Sequence, residues 1–106
     1  MKIAVTGANG YLGTGVVGEL IARGHDVVAI DRTLERVPAS AKCIQASLFD
    51  MVNPYAEMGE PDIVVHLAWR DGFKHNSDAH MDDLPLHIEF VRKLSKSPLK
   101  RLAVMG

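Results

Sequence analysis

The chain has few of the features that mark secreted, membrane-bound or nucleic-acid-binding proteins. It holds a single cysteine, Cys43, so neither an internal disulfide framework nor a cysteine-rich metal site can form. Twelve basic and thirteen acidic residues leave a formal net charge of −1, and no basic tract predicts nucleic-acid binding. No apolar stretch approaches the roughly 20 residues needed to cross a bilayer. The first predicted strand begins at Lys2 and leaves no room for a signal peptide, so we expect a cytoplasmic protein without membrane or nucleic-acid partners.

The chain does contain a set of short, continuous apolar runs. Strands buried on both faces have this pattern, whereas strands with one face in water alternate apolar and polar residues. A parallel sheet covered by helices on both sides is therefore predicted. The strand candidates are residues 3–5, 27–30, 63–65 with 67–68, and 102–105, with a weaker one at 43–46.

Helical patterns separate these runs, so strand and helix alternate along one domain of residues 1–106. With right-handed crossovers, this alternation predicts a doubly wound α/β fold of about five strands in the order 3-2-1-4-5, between two layers of helices. The predicted helices are 11–23 with Gly24 as its cap, about 50–58, and Asp82 or Asp83 to Ser97, with Pro85 in the first turn and Leu86, Phe90, Val91 and Leu94 on the buried face.

Where the first strand gives way to the first helix, residues 6–13 read Thr-Gly-Ala-Asn-Gly-Tyr-Leu-Gly. A pyrophosphate needs bare backbone N–H groups at a helix N-terminus, which side chains at these positions would block. We expect Gly7 to make the tight turn out of the strand, Gly10 to let the phosphates approach, and Gly13 to let the helix pack against the sheet. The whole unit favours a dinucleotide site over a tight turn without a ligand.

The second apolar run ends on Asp31, 18 residues after Gly13, where a dinucleotide-binding fold carries the carboxylate that holds the adenosine ribose. Such a carboxylate accepts hydrogen bonds from both ribose hydroxyls and repels the 2′-phosphate of NADP. Arg32 would act the other way, because a guanidinium can bind that phosphate or stack on adenine, but it can also pair with Glu35. We therefore predict NAD as the cofactor, with NADP the less favoured one.

Three segments together resemble the extended short-chain dehydrogenase/reductases, the NAD-dependent epimerase/dehydratase family. They are residues 6–13, Ile30-Asp31-Arg32 and Val65-His-Leu-Ala68. The resemblance covers essentially the whole chain, as the N-terminal, Rossmann-like portion of the family's fold. It implies that the cofactor would meet the backbone of Tyr11 and Leu12 at its pyrophosphate, Asp31 at its adenosine ribose, and Leu67 and Ala68 at its ribose and nicotinamide side.

The chain departs from the family's pattern near the ends of the third and fourth strands. Ser47 and Leu48 stand where the family usually has an acidic residue near the adenine amino group, so Ser47 can hydrogen-bond there without a charge. Trp69 stands where a second alanine usually follows, which predicts that its ring points into a site or a partner surface. Trp69 and Phe73 either line a substrate pocket or simply pack. Trp69 precedes, and Phe73 lies within, an irregular stretch at 70–81 that is long enough to suggest function or mobility.

Catalysis in this family uses a Ser or Thr after the fifth strand and a Tyr-x-x-x-Lys pair, which this chain lacks. Its only tyrosines are Tyr11 and Tyr55, and glycine stands four positions after each. We therefore expect this chain to be inactive alone. Within a longer enzyme it would be the cofactor-binding portion of an epimerase/dehydratase-type oxidoreductase, with a nucleotide-sugar as one possible small-molecule substrate and a homodimer as one possible assembly. The alternative is a non-catalytic dinucleotide-binding protein of the same fold that senses redox state or acts as a scaffold.

Four histidines fall in the second half of the chain, at positions 66, 75, 80 and 87. Their spacings match no metal-ligand motif, so no metal is predicted. Histidines in the loop are expected in solvent. His66 lies in an apolar run and is predicted to be a hydrogen-bonded structural histidine.

Overall fold

The computed structural model describes the backbone of residues 1–68 and 78–104, and the side chains of residues 1–68 and 84–104. Within that part of the chain, strands and helices alternate as the apolar runs predict. The strands are β1 Lys2–Thr6, β2 Asp26–Asp31, β3 Lys42–Gln45, β4 Ile63–His66 and β5 Arg101–Val104; the helices are α1 Tyr11–Ala22, α2 Pro54–Glu57 and α3 Asp78–Ser95, with a 3-10 helix at Leu48–Asp50.

All five strands belong to one parallel sheet in the order β3-β2-β1-β4-β5, which confirms the predicted doubly wound α/β fold. Thr6, at the end of β1, pairs with Ile30 of β2 and with His66 of β4, so the three central strands end at one level. The segments that follow these strands therefore meet along a single edge. In open α/β sheets, ligands bind at this carboxyl edge.

Buried side chains fill both faces of the sheet, because successive residues of a strand point to opposite sides. On one face, Ala4 belongs to a buried cluster that includes Phe90 of α3. On the other, Ile3 and Val5 belong to a cluster that includes Val17 of α1. The sheet is therefore covered on both sides, which explains why its central strands are apolar at successive positions.

Helix α3 corrects the predicted start of the last helix. It begins at Asp78, about a turn before Asp82 or Asp83, and Pro85 lies inside it. Residues 78–81, predicted as the end of a loop, are helical. The φ angle of proline suits a helix, and the contacts of the buried face offset the hydrogen bond that Pro85 removes.

The buried face of α3 contains the predicted Phe90 and Leu94, but it includes His87 in place of Leu86. His87, Phe90 and Leu94 are 3%, 2% and 1% exposed, whereas Leu86 is 45% exposed. Positions 87, 90 and 94 follow the helical period, and Leu86 lies about 100° around the axis from His87. Val91, at the margin of the face, is half-buried.

The helix predicted over about 50–58 is shorter in the structure, where α2 spans Pro54–Glu57 and a separate 3-10 helix precedes it at Leu48–Asp50. Asn53 separates them with a φ of −129°, because the residue before a proline is disfavoured from the helical region. Its side-chain oxygen then caps α2 by accepting the Ala56 N–H at 3.4 Å.

Candidate functional site

The tight turn between β1 and α1 requires glycine at Gly7, within the turn, and at Gly13, in the first turn of α1. Gly7 has a φ of +67°, and a Cβ there would lie 2.7 Å from the carbonyl carbon and oxygen of Leu67 and 2.8 Å from the amide nitrogen of Ala68. A Cβ on Gly13 would overlap the Gly7 carbonyl oxygen and lie 2.8 Å from the Cα of Ala8. The closest contact of Gly13 is thus with the turn itself, where the sequence led us to expect the sheet.

Gly10 differs from these two glycines, because its backbone conformation suits any residue and a Cβ there would have room. It precedes the first residue of α1, with a φ of −75° and a ψ of 172°. Among the described residues, a Cβ there would meet only the Gly7 carbonyl oxygen, at an ordinary 3.4 Å. The fold therefore does not require glycine at this position, and a side chain would occupy the space in front of the helix.

The N-terminus of α1 presents unneutralised donors in the described part of the chain. No side chain caps it, and its first turn contains no acidic residue. The first N–H groups of a helix have no intrahelical partner, and the aligned peptide dipoles place about half a positive charge there. Tyr11 at this end is 86% exposed and Leu12 is half-buried. This end of the helix is therefore suited to an anion such as a phosphate.

Asp31, the last residue of β2, holds its carboxylate beside the glycine turn. Its Oδ2 accepts the backbone N–H of Asn9 at 2.9 Å, and its Oδ1 accepts the backbone N–H of Arg32 at 2.7 Å. A carboxylate has about four acceptor positions. Two acceptor positions therefore remain for a ligand with two neighbouring hydroxyl groups.

Arg32, Ser47 and Leu48 extend the same edge beyond Asp31. The Arg32 side chain is exposed and forms no ion pair with Glu35. Ser47 is half-buried at the start of the 3-10 helix, whereas Leu48 is 7% exposed and packs into the core. At the end of β3, a ligand can therefore meet the Ser47 hydroxyl or the backbone of Leu48, but not the Leu48 side chain.

Leu67 and Ala68, which follow β4, lie directly against the glycine turn. The Leu67 N–H donates to the hydroxyl oxygen of Thr6 at 3.0 Å and to the Thr6 carbonyl oxygen at 3.2 Å. The Cβ that Gly7 lacks would collide with this backbone. The three segments that carry the family resemblance are thus neighbours in space. Trp69 and Phe73 lie outside the described residues.

Beneath this edge, His66 and His87 form a buried pair. His66 Nδ1 lies 2.7 Å from Thr6 Oγ1, and His66 Nε2 lies 2.8 Å from His87 Nδ1. Burial, reinforced by the charge of neighbouring His87, lowers the pKa of His66 to about 3. His66 is the hydrogen-bonded structural histidine that the sequence predicts. His87 is buried on α3 and is not solvated, because it shares the helical face of Phe90 and Leu94.

The remaining candidate metal ligands can be placed only in part. His75 and the side chain of His80 lie outside the described residues. Among the residues that the structure does describe, no group of three or more histidine, cysteine, aspartate or glutamate side chains could hold a metal ion.

The low pKa of His66 predicts a loss of stability in mild acid. The unfolded chain binds a proton at this residue as the pH falls through about 6.5, while the folded chain does so only near pH 3. Stability is therefore complete above pH 6.5 and declines below it, by about 2 kcal/mol between about pH 7.5 and about pH 5. Urea unfolding at the two pH values measures this change.

The matched variant for this prediction is His66→Asn, whose amide can still hydrogen-bond to Thr6. It should be less stable at neutral pH but should lose most of the extra acid sensitivity. His25→Asn, which changes a half-buried histidine before β2, should keep that sensitivity. An acid sensitivity that is the same in His66→Asn as in the unaltered protein would contradict the assignment.

Two residues of this region, Asn9 and His87, are not evident from the sequence pattern. Asn9 lies between Gly7 and Gly10, and no motif indicates a role for it. In the structure its backbone and side chain bond to residues 31–36. His87 reads as polar and exposed. The only signal for it was the spacing of 87, 90 and 94, which places it on one face with two apolar residues.

The fold and the site together define a class of protein. A parallel sheet of order 3-2-1-4-5 with helices on both faces, and with a glycine turn at its carboxyl edge, is a Rossmann-like domain. None of the helices in the described residues has the length and apolar character that a membrane crossing needs. A model of the NAD dependent epimerase/dehydratase family matches residues 3–106. The chain belongs to this family.

Individual proteins agree with the family match. The chain is 30% identical over 111 residues to the NAD(+)-dependent dTDP-6-deoxy-L-talose 4-dehydrogenase of Aggregatibacter actinomycetemcomitans, covering 100% of this chain and 41% of that protein. It shares its fold with the crystal structure of a UDP-galactose 4-epimerase, with a TM-score of 0.80 at 22% identity, over 98% of this chain and 37% of the epimerase. The enzyme WbmG of Bordetella bronchiseptica, solved in complex with NAD, has a TM-score of 0.73 at 27% identity, over 98% of this chain and 36% of that one. The chain thus spans less than half the length of these proteins.

Proposed function

We propose that this chain is the dinucleotide-binding portion of an NAD(P)-dependent oxidoreductase of the epimerase/dehydratase type. The observation that carries the proposal is the meeting of three elements at one edge of the sheet. The uncapped N-terminus of α1, the oriented Asp31 carboxylate and the Leu67-Ala68 backbone all adjoin the same glycine turn.

Each element fits one part of a nicotinamide dinucleotide. The pyrophosphate would lie on the backbone N–H groups of Tyr11 and Leu12, with Gly10 leaving room for its approach. Asp31 would accept hydrogen bonds from the adenosine ribose, and Ser47 and Leu48 would adjoin the adenine. Leu67 and Ala68 would border the ribose and nicotinamide. The cofactor supplies hydride transfer when bound, and this chain binds and orients it.

The Asp31 carboxylate should make the site prefer NAD to NADP. NADP lacks the 2′-hydroxyl that donates to this carboxylate, and its 2′-phosphate would face a like charge. Together these differences cost NADP on the order of 2–3 kcal/mol of binding free energy relative to NAD, or about 30- to 150-fold in affinity. The exposed guanidinium of Arg32 would act in the opposite direction, but Arg32 follows the strand end and its side chain can extend into solvent or cover the adenine. Parallel calorimetric titrations with NAD and NADP measure the preference.

Asp31→Asn tests the cause of this preference, because it removes the charge and keeps the shape. We expect the preference for NAD to shrink to a few-fold in this variant. Asp26→Asn is the matched control, since Asp26 is exposed at the opposite end of the same strand, and it should leave both affinities unchanged. Tighter binding of NADP than of NAD by the unaltered protein would mean that Arg32 reads the ribose.

The reaction that this portion supports is the second part of the proposal. The dehydrogenase relative is named for a dTDP-sugar, so a nucleotide-sugar is the substrate class that we propose for the whole protein. Incubation of the full-length protein with NAD and a panel of dTDP- and UDP-sugars should give a changed sugar. Tight NAD binding without turnover of any substrate would favour a redox sensor or scaffold of the same fold. A cytoplasmic location and a homodimer also remain proposals.

A further inference from the structure

Asn9 lies within the glycine turn, yet its side chain bonds to the segment that follows β2. Its Oδ1 accepts the backbone N–H of Arg36 at 2.6 Å, and its Nδ2 donates to Thr33 Oγ1 at 3.1 Å. Since a backbone N–H can only donate, the amide oxygen must face Arg36, and both bonds then fix a single orientation of the amide. The backbone N–H of Asn9 also holds the Asp31 carboxylate. One residue therefore links the turn to that carboxylate and to residues 33–36.

The segment that Asn9 holds, residues 32–37, carries positive charge close to Asp31 in sequence. Residues 32–37 form a short loop with a single turn, closed by a hydrogen bond from the Val37 N–H to the Leu34 carbonyl oxygen at 3.1 Å. Leu34 and Val37 pack partly buried against the cluster on the α1 face, which anchors the apolar side of the loop. Its two guanidinium groups, on Arg32 and Arg36, are exposed. Asn9 anchors the polar side of the loop.

We infer that Asn9 is a positioning residue that sets the preference of the site for an adenine dinucleotide without a 2′-phosphate. The inference rests on the proposed function. The Asn9 side chain, through its bonds to Thr33 and Arg36, tethers the loop of residues 32–37 to the glycine turn. The backbone N–H of Asn9 keeps the Asp31 carboxylate beside the same turn. A 2′-phosphate needs the opposite arrangement, in which the carboxylate turns away and a guanidinium forks onto the phosphate. Without the tether, the loop is free to adopt that arrangement.

Titrations of NAD and NADP into four proteins test the inference: the unaltered protein, Asn9→Ala, Thr33→Val and Thr33→Ser. We expect the ratio of the Kd for NADP to the Kd for NAD to fall about tenfold in Asn9→Ala, which loses both side-chain hydrogen bonds. It should fall about threefold in Thr33→Val, which loses one of them. Thr33→Ser keeps the hydroxyl and should keep the ratio. A merely structural role would weaken both dinucleotides equally and leave the ratio unchanged.

Amide hydrogen exchange at Arg36 gives a readout that needs no ligand. Its N–H is the donor to Asn9 Oδ1, so its exchange should accelerate in Asn9→Ala and stay slow in Thr33→Ser. Thr33 is exposed, so its variants keep the test decisive even where Asn9→Ala does not fold.

The outcomes separate this inference from the proposed function. The inference is overturned, and the proposed function stands, if the unaltered protein binds NAD but the Kd ratio in Asn9→Ala and Thr33→Val stays within about twofold of the ratio in the unaltered protein. If the unaltered protein binds neither dinucleotide, both are overturned. A lowered ratio in both variants, together with faster exchange at Arg36 in Asn9→Ala, supports the inference.

Discussion

Replacing Gly10 by valine is expected to abolish NAD binding and to leave the fold intact. The backbone at this position suits any residue, and a Cβ meets only the Gly7 carbonyl oxygen among the described residues, at 3.4 Å. The rest of the side chain would fill the space in front of α1, where the pyrophosphate must reach bare N–H groups. We expect NAD affinity to fall by more than about 100-fold, while the free energy of unfolding changes by less than about 1 kcal/mol.

Gly18→Val is the matched control for this prediction. Gly18 lies within α1, roughly 12 Å along the helix axis from Gly10, and outside the neighbouring backbone of α1 itself no described residue lies within 4 Å of a Cβ there. The control protein should bind NAD as the unaltered protein does. Calorimetric titration gives the affinities and urea unfolding gives the stabilities. Unweakened binding by a folded Gly10→Val protein would refute the placement of the pyrophosphate.

Replacing Gly7 by alanine is expected to have the largest effect on stability. The Cβ would lie 2.7 Å from the carbonyl carbon and oxygen of Leu67 and 2.8 Å from the Ala68 amide nitrogen. These are backbone atoms, which cannot rotate away as a side chain could. The φ of +67° adds about 1–2 kcal/mol of strain for any residue with a Cβ. Together with the shift of two packed segments, we expect a loss of about 3–5 kcal/mol in the free energy of unfolding.

Gly18→Ala again supplies the control, because alanine at an open position inside a helix stabilises by about 0.5–1 kcal/mol relative to glycine. Urea unfolding of both variants measures the contrast. If Gly7→Ala were as stable as Gly18→Ala, the close approach between the glycine turn and the end of β4 would be wrong.

The strands and their order could be predicted because they depend on a local pattern. Runs such as Val27–Ile30 are apolar at every position, and this occurs where both faces of a strand are covered. Strand and helix alternation then restricts the topology to few choices. The start of α3 could not be predicted, because Pro85 favours a first turn by local preference and the packing of the helix overrides that preference.

The residues of the candidate site could be predicted only where a local sequence motif or spacing marks them. The glycines and Asp31 stand at fixed distances along the chain, and their neighbours in space follow from the fold. Asn9 and His87 act through partners that are far away in sequence: Asn9 bonds to Thr33 and Arg36, and His87 bonds to His66. Such polar pairs depend on the register between segments. The helical spacing of 87, 90 and 94 places His87 on the buried face, but no local pattern identifies the partner of His87 or of Asn9.

The central claim, that the glycine turn and Asp31 hold a nicotinamide dinucleotide, is tested most directly by mapping backbone amide resonances during a titration with NAD. The account predicts saturable shifts at the amides of Tyr11 and Leu12 and at Asp31 and Ala68, which all lie at the carboxyl edge of the sheet. The amides at the opposite ends of the strands, such as those of Asp26 and Asp62, should not move. No shifts under a large excess of NAD, or shifts confined to residues away from this edge, would contradict it.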